Sequence, residues 1–494
     1  MLLAANSAFA IFNSMDSLTI VAPMTPAGVS AVAALRVSGT HVRDVVRRLF
    51  GARAAEKLVP RMANLGTARD PQTGKVLDSL LYIYFEAPNS YTGEDVLELY
   101  PHGNPLIVRD LLQAIRDIEG VRLAEPGEYT RRAFLNGKMD LTQAESVADV
   151  IHSANRAELE NAHRLLSGAL SKKIATLTAQ VKDISARLEL DVDFAEEEAD
   201  PDFSGWKQKF ENIRVSIKGI LNSFRGKANL SKLPLAVLYG APNAGKSSLV
   251  NALLGEDRVL VSNVPGTTRD FVEVRLFLDG GEIRLIDTAG IADKATDELD
   301  ALSMKKSREI LDEADMKILV VDGNNSAGNK EGVILSYTTL GTKSLSGCYP
   351  PCGEAQAESK DLKPDFVVVS KSDLAANVIA RSEATKQSPD TSHLNVSSKT
   401  GEGLDDLKKV MNAVLFKKSE NAEDLWITSE REKSCLEEAL AGVDRVLDLL
   451  EKNPAVELLA FEMQLVRRAL QSITGEISSE DILQSIFAGF CIGK

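Results

Sequence analysis

The stretch Gly240-Ala-Pro-Asn-Ala-Gly-Lys-Ser247, continued by Ser248-Leu-Val-Asn251, decides how this chain is read. It fits G-x-x-x-x-G-K-[ST], in which glycines let backbone N–H groups close round a β-phosphate while the lysine meets phosphate and the hydroxyl meets Mg²⁺. Before it, Leu235-Ala-Val-Leu-Tyr239 is a short apolar run of strand type. After it, residues 248–254 have a helical pattern whose N-terminus would face the anion. A glycine turn with no ligand is the plain alternative, and the strand–loop–helix context speaks against it. Asn243, Ala244, Gly245, Lys246, Ser247 and Ser248 are therefore candidate nucleotide contacts.

Working outward, strands and helices alternate from 231 to 418, as a doubly wound α/β sheet requires. Arg284-Leu-Ile-Asp287-Thr288-Ala289-Gly290 is an apolar strand ending in an aspartate and a glycine. Asp287 would hold the metal's water shell, and the Gly290 N–H would sense a γ-phosphate. Pro265-Gly-Thr-Thr-Arg-Asp270 lies where a moving segment brings Thr268 to Mg²⁺. Ser370-Lys371-Ser-Asp373 follows a second apolar strand, and Asp373 would accept from the N1–H and the exocyclic amine of guanine, donors that adenine lacks. Ser370 stands where asparagine is usual. Ser397-Ser398-Lys399 would complete the base pocket, so GTP is expected over ATP.

Ile291 follows Gly290, so the glutamine that orients water in Ras-type proteins is missing. Glu298 and Asp300 are the candidates for that task, or are solvated loop carboxylates. No arginine finger is evident. A monovalent cation held by Asn243 would neutralise transition-state charge instead, which implies potassium dependence.

Two segments exceed a compact nucleotide domain. Residues 323–365 span 43 positions, against roughly 12–15 for a long loop. Residues 376–392 form a second polar insertion. Cys348 and Cys352 lie in the first without a second ligand pair, which argues against zinc.

The chain has 494 residues, enough for about three domains. Its 57 basic and 71 acidic residues leave a net charge of −14, so the chain as a whole has no electrostatic footprint for nucleic acid. RNA would need a local patch or a partner. Four cysteines without zinc-like spacing suit a reducing, cytoplasmic setting. Residues 1–14 lack the basic start of a signal peptide and read as a misassigned start or a loose extension. No long apolar run predicts a membrane span.

Before the nucleotide unit, strands are expected at 19–22, 31–37 and 79–85, and a helix at 104–118. The stretches 90–103 and 124–141 are rich in charge and turn formers; they read as surface loops or as ligand-handling ones. Residues 141–192 are helical without proline. Their partners would be 429–451, 455–473 and 478–488, the last opened by a capping pattern at Ser478 and Asp481. The acidic run 191–201 reads as a hinge or solvated loop rather than a metal site. The expected architecture is multi-domain α/β: an N-terminal α+β domain over 15–135, helical-bundle halves over 136–230 and 420–494, and a Ras-like P-loop GTPase domain over 231–419.

Three stretches outside that domain point one way. Thr25-Pro-Ala-Gly28 with Leu35-Arg-Val-Ser-Gly39, then Pro126-Gly-Glu-Tyr-Thr-Arg-Arg-Ala-Phe-Leu-Asn-Gly-Lys138, and the terminal Phe490-Cys-Ile-Gly-Lys494 resemble the MnmE (TrmE) family of tRNA uridine modification GTPases, over about residues 15–494. The resemblance implies a homodimer formed through an N-terminal domain that binds 5,10-methylene- or 5-formyl-tetrahydrofolate. It also implies a heterotetramer with the flavoprotein MnmG (GidA), which adds a carboxymethylaminomethyl or aminomethyl group at C5 of a wobble uridine, with tRNA bound mainly through the complex.

By motif position, Arg36, Glu98, Lys138 and Lys494 would be folate contacts, and Cys491 is either covalently active or packing in the folate site. Potassium would be held by Asn243, Ser262, the Val264 carbonyl and Thr267, and Mg²⁺ by Ser247 and Thr268. This chain departs from the family pattern at Asp300, where glutamate is usual, at Ser262, where threonine is, and at His102-Gly-Asn-Pro105. An Era- or EngA-like ribosome-assembly GTPase is the rival, disfavoured by the acidic balance. A switch protein with negligible turnover is the third reading.

Overall fold

A computed structural model describes residues 18–193, 203–226, 233–240, 243–255, 272–287, 310–323, 364–372, 393–416, 425–452 and 456–493. The chain divides into two compact units. One takes residues 1–152, 161–226 and 425–494, the other 153–160 and 227–424.

The first unit begins with a six-stranded sheet. Its strands are β1 (Thr19–Pro23), β3 (Leu35–Ser38), β4 (Ala63–Arg69), β5 (Val76–Phe85), β6 (Val96–Tyr100) and β8 (Val121–Leu123), in the order β4-β5-β6-β3-β1-β8. All neighbours are antiparallel except β1 and β8. The helix Val42–Phe50 buries Val42, Val45, Val46 and Leu49, one stripe of a 3.6-residue period. The helix Pro105–Arg116 buries Leu111, Ala114 and Ile115 and is capped by the Asn104 side chain, which accepts from the Leu106 N–H.

The strand expected at 31–37 is two strands, because the chain changes partner in the middle. β2 (Ser30–Val32) pairs with β7 (His102–Gly103), whereas β3 pairs with β1 and β6. Between them, the Ala33 N–H donates to the Pro101 carbonyl and the Ala34 N–H to Thr25 Oγ1. The stretch 90–103 is no mere loop, since β6 inside it is an inner strand with Val96, Leu97 and Leu99 buried. Likewise, 124–141 contains the helix Glu128–Leu135.

Residues 141–192 form three helices, Leu141–His152, Arg156–Leu166 and Ala169–Asp193. Asn155 Oδ1 accepts from the Glu158 N–H at 2.9 Å, capping the second, and Gly168 turns at φ 82° before the third. Phe203–Asn222 adds a helix that period counting did not register. Glu430–Leu450, Val456–Thr474 and Glu480–Ala488 follow near the end of the chain. The last starts at Ser479, not Ser478, and has no side-chain cap hydrogen bond. One apolar core is shared by the two stretches of chain: Leu170, Ile174, Val181, Ile184, Phe210 and Ile217 pack with Leu436, Val443, Leu459, Val466 and Leu470.

The second unit has a six-stranded sheet of order β10-β11-β9-β12-β13-β14, formed by β9 (Leu235–Tyr239), β10 (Val272–Leu278), β11 (Gly281–Asp287), β12 (Met316–Asp322), β13 (Phe366–Ser370) and β14 (His393–Asn395). Only the β10–β11 pair is antiparallel. The helices Lys246–Gly255 and Leu404–Leu415 contribute Leu249, Leu253, Leu407 and Met411 to the core over this sheet. Among the described residues no helix is long and apolar enough to cross a membrane.

Candidate functional site

β9 runs in the middle of the second sheet, its Leu235, Ala236, Val237 and Leu238 buried, between β11 and β12. The phosphate-loop sequence therefore leaves the carboxyl end of a central parallel strand, where open α/β sheets place ligands. Gly240 is required there: a Cβ would stand 2.2 Å from the Val320 carbonyl oxygen, at φ 147°. Asn243 and Gly245 both take positive φ, 60° and 92°, a conformation open to glycine and tolerated by asparagine.

Lys246, only 4% exposed, opens the helix and donates through Nζ to the Gly240 carbonyl at 2.8 Å. Ser247 Oγ donates to Asp287 Oδ2 at 2.6 Å. The two oxygen donors expected at a hard cation and its water shell thus meet where the helix begins and β11 ends, a pairing of oxygen ligands that suits Mg²⁺. Ser248 is exposed on the first turn.

Two of the residues expected on the base side, Ser370 and Lys371, reach the same loop. The Ser370 hydroxyl, buried at the end of β13, lies 2.5 Å from the Ala244 carbonyl oxygen and 3.2 Å from that of Val321. Lys371 Nζ donates to the Asn243 carbonyl at 3.0 Å and to Asp322 Oδ2 at 2.6 Å. Fully buried Ser397 accepts from the N–H groups of Lys399 and Thr400 at 3.3 and 3.2 Å, shaping its own turn, with Ser398 half-buried and Lys399 exposed. Asp322 had no role in the sequence reading; its place beside Lys371 follows from the sheet order, which the residue order alone does not show.

In the first unit, Arg36 on β3 faces Glu98 on β6 in register, and Arg36 donates to Glu98 Oε1 from Nε at 3.1 Å and Nη2 at 2.9 Å. Tyr100 Oη donates to the other carboxylate oxygen at 2.5 Å. The guanidinium lies 4.8 Å from the Tyr91 ring centre and 5.6 Å from that of Tyr129, while its buried Nη1 has no hydrogen-bond partner among the described residues. The guanidinium thus lies within cation–π distance of two aromatic rings and carries one buried, unmatched donor. Burial pushes the Tyr129 hydroxyl well above the usual phenol range, and it donates to the Arg36 carbonyl.

Lys138 donates to the Pro88 carbonyl at 2.8 Å. The chain end returns to this sheet. A Cβ on Gly493 would stand 2.3 Å from the Pro23 carbonyl oxygen, one residue beyond Ala22, which faces Arg36 across β1 and β3. Cys491 is exposed, its sulfur 3.9 Å from His152 Nε2. Pro23 also lines a mostly apolar cavity of about 370 Å³ with Thr25, Ala33, Val108, Leu112 and Leu123.

Ser262, Val264, Thr267, Thr268, Thr288, Ala289, Gly290, Glu298, Asp300, Asp373 and Lys494 lie outside the described residues, as do Cys348, Cys352 and nearly all of both insertions.

Residues 19–138 match the family model for the GTP-binding protein TrmE N-terminus, and residues 141–491 that for the MnmE helical domain. The tRNA modification GTPase MnmE of Syntrophus aciditrophicus is 38% identical over 479 residues, covering 96% of this chain and 99% of its own length. The chain belongs to the MnmE family. The MnmE of Christiangramia forsetii is 35% identical over 489 residues, covering 96% and 99%. Among solved structures, the G domain of the Thermotoga maritima FeoB iron transporter is 28% identical, covering 36% of this chain and 96% of its own, with a TM-score of 0.24. For an MnmE family member, the tyrosines around Arg36 are the residues that sequence reasoning passed over. Tyr91 and Tyr129 sit in stretches whose charge and turn formers drew the eye.

Proposed function

We propose that this MnmE family member is a potassium-dependent GTP hydrolase in tRNA modification. With a flavoprotein partner of the MnmG (GidA) kind, it adds a carboxymethylaminomethyl or aminomethyl group to C5 of a wobble uridine. The coarser part, a tRNA modification GTPase, rests on family membership. The observation that carries the chemistry is the meeting of Ser247 with Asp287 beside the buried Lys246.

In this reading Lys246 exchanges the Gly240 carbonyl for phosphate oxygens, and the loop's N–H groups hold the β-phosphate. Ser247 and Thr268 would hold Mg²⁺, with Asp287 on its water shell; when bound, the metal supplies charge neutralisation at the β- and γ-phosphate oxygens. Asn243, Ser262, Val264 and Thr267 would hold potassium. Asp300, or Glu298, orients the water, and Asp373 with Ser397, Ser398 and Lys399 selects guanine.

The N-terminal part would bind a tetrahydrofolate one-carbon donor. Glu98 suits pterin N–H groups, Lys138 and Lys494 suit the glutamate tail, and Arg36, whose Nη1 is unmatched, suits a ring acceptor once the side chain turns toward it. Cys491 lies on the tail that reaches this region. The division into an N-terminal domain to 135, helical halves at 136–230 and 420–494 and a GTPase domain at 231–419 belongs to the same proposal, as do homodimerisation and a cytoplasmic setting.

The test is steady-state GTP hydrolysis in KCl and NaCl at equal ionic strength. At least tenfold faster turnover in KCl is expected. Equal low rates in both salts would remove the potassium reading.

A further inference from the structure

A serine hydroxyl has one proton to donate. Among the described residues, the Ser370 hydroxyl has two hydrogen-bond partners and both are backbone carbonyls, Ala244 at 2.5 Å and Val321 at 3.2 Å, and a carbonyl only accepts. The hydroxyl proton is therefore committed to the protein, and the shorter contact commits it to the phosphate loop. The surroundings reinforce this. Ser370 is 2% exposed, and a Cβ on Gly245 would stand 3.3 Å from its oxygen, so the side chain is wedged under the loop. Lys371, itself at φ 59°, makes the second tie by donating to the Asn243 carbonyl while Asp322 fixes its ammonium. Two consecutive residues at the end of β13 thus grip two consecutive carbonyls of the loop. Both gripped residues lie at its left-handed turn, where Asn243 has φ 60° and Gly245 follows at 92°.

We infer that Ser370 is a positioning residue for the phosphate loop and takes no part in reading the purine. The strand end carrying the base-side residues serves as a latch that holds the loop's left-handed turn in its phosphate-binding shape. The guanine N7 acceptor receives no donor from position 370. The inference rests on the nucleotide reading above but concerns how the site divides its labour.

The experiment is calorimetric binding of GDP and of 7-deaza-GDP, in which a C–H replaces N7, to the full-length wild type, S370A and S370C. Removing one hydrogen bond from the loop should weaken both nucleotides by about fivefold in S370A. The ratio of the two affinities should stay within twofold of the wild-type ratio. S370C, with nearly the same shape and a weak S–H donor, should fall between. A fall in stoichiometry at unchanged affinity would mark unfolding in S370A, and S370C then carries the comparison.

A ratio that shifts toward one in either variant would overturn the inference, because the hydroxyl would then have been reading N7. Affinities equal to wild type at full stoichiometry would overturn it as well. Failure of the wild type to bind GDP would instead sink the nucleotide reading itself.

Discussion

Glu128 and Arg132, each 3% exposed, carry opposite charges one helical turn apart. Arg132 also donates to both Glu94 carboxylate oxygens and to the Leu18 carbonyl, and Glu128 accepts from Arg122 and from the Glu125 N–H. One buried network thus fixes β1, the 90–95 loop and the 124–128 turn around Arg36. Burial alone would push the Glu128 carboxyl up, but the Arg122 and Glu125 hydrogen bonds and the two arginine charges outweigh it and hold it below the usual carboxylate range. With the folded value depressed, the stabilisation is complete above the unfolded carboxylate range and is lost as pH falls through the lower folded value. Melting temperature followed from neutral to acid pH should show this loss. E128Q should lack it, and at neutral pH should cost about 3 kcal/mol by stranding buried arginine charge.

A second residue-scale prediction concerns the unmatched Arg36 donor. R36A should weaken tetrahydrofolate binding by about tenfold, the worth of one charge-assisted hydrogen bond, while GTP turnover stays as in wild type. Equilibrium binding and hydrolysis assays on the same preparation check both.

Among the elements, the helix Glu480–Ala488 shows how much a single glycine matters. Gly127 sits at φ 69°, and a Cβ there would stand 2.6 Å from the Phe487 carbonyl oxygen. Gly137 has nearly the same φ, 66°, with nothing within 4 Å. Alanine at 137 should therefore cost only the backbone strain, about 1 kcal/mol. Alanine at 127 should cost about 1–3 kcal/mol more as the last helix and its Cys491 tail are pushed away. Thermal denaturation of the two variants separates steric from conformational cost.

Elements with a strong period were legible in the sequence. The phosphate-loop strand and helix, and the apolar faces at 170–188 and 436–470, carry their burial in the order of their residues. Partner changes were not legible, because alternation within residues 31–37 says nothing of which strand lies alongside. Inner strand β6 was hidden by its own Glu98, whose charge is compensated by an arginine 62 residues earlier in the chain. In the second unit the left-handed turn, the helix start and the Ser247–Asp287 contact lie where motif spacing puts them. The contact of Asp322 with Lys371 was not legible, since it depends on the sheet order that brings β12 and β13 side by side.

At the scale of the whole molecule, one chain carries a phosphate-loop sequence at 240–247 and, near its start, the Arg36–Glu98 pair, with Gly493 from the other end packed against Pro23 of the first strand. That arrangement makes sense if GTP turnover and one-carbon chemistry serve one reaction. The most direct measurement is nucleoside analysis of unmodified tRNA incubated with this protein, its flavoprotein partner, GTP, KCl, 5,10-methylenetetrahydrofolate as the carbon donor and glycine or ammonium as the amine donor, alongside the same mixture with K246A in place of the wild type. The account predicts a C5-substituted wobble uridine with the wild type and none with K246A, whose loop has lost its phosphate-binding lysine. Rapid GTP hydrolysis by the wild type with the uridine left unmodified would contradict it.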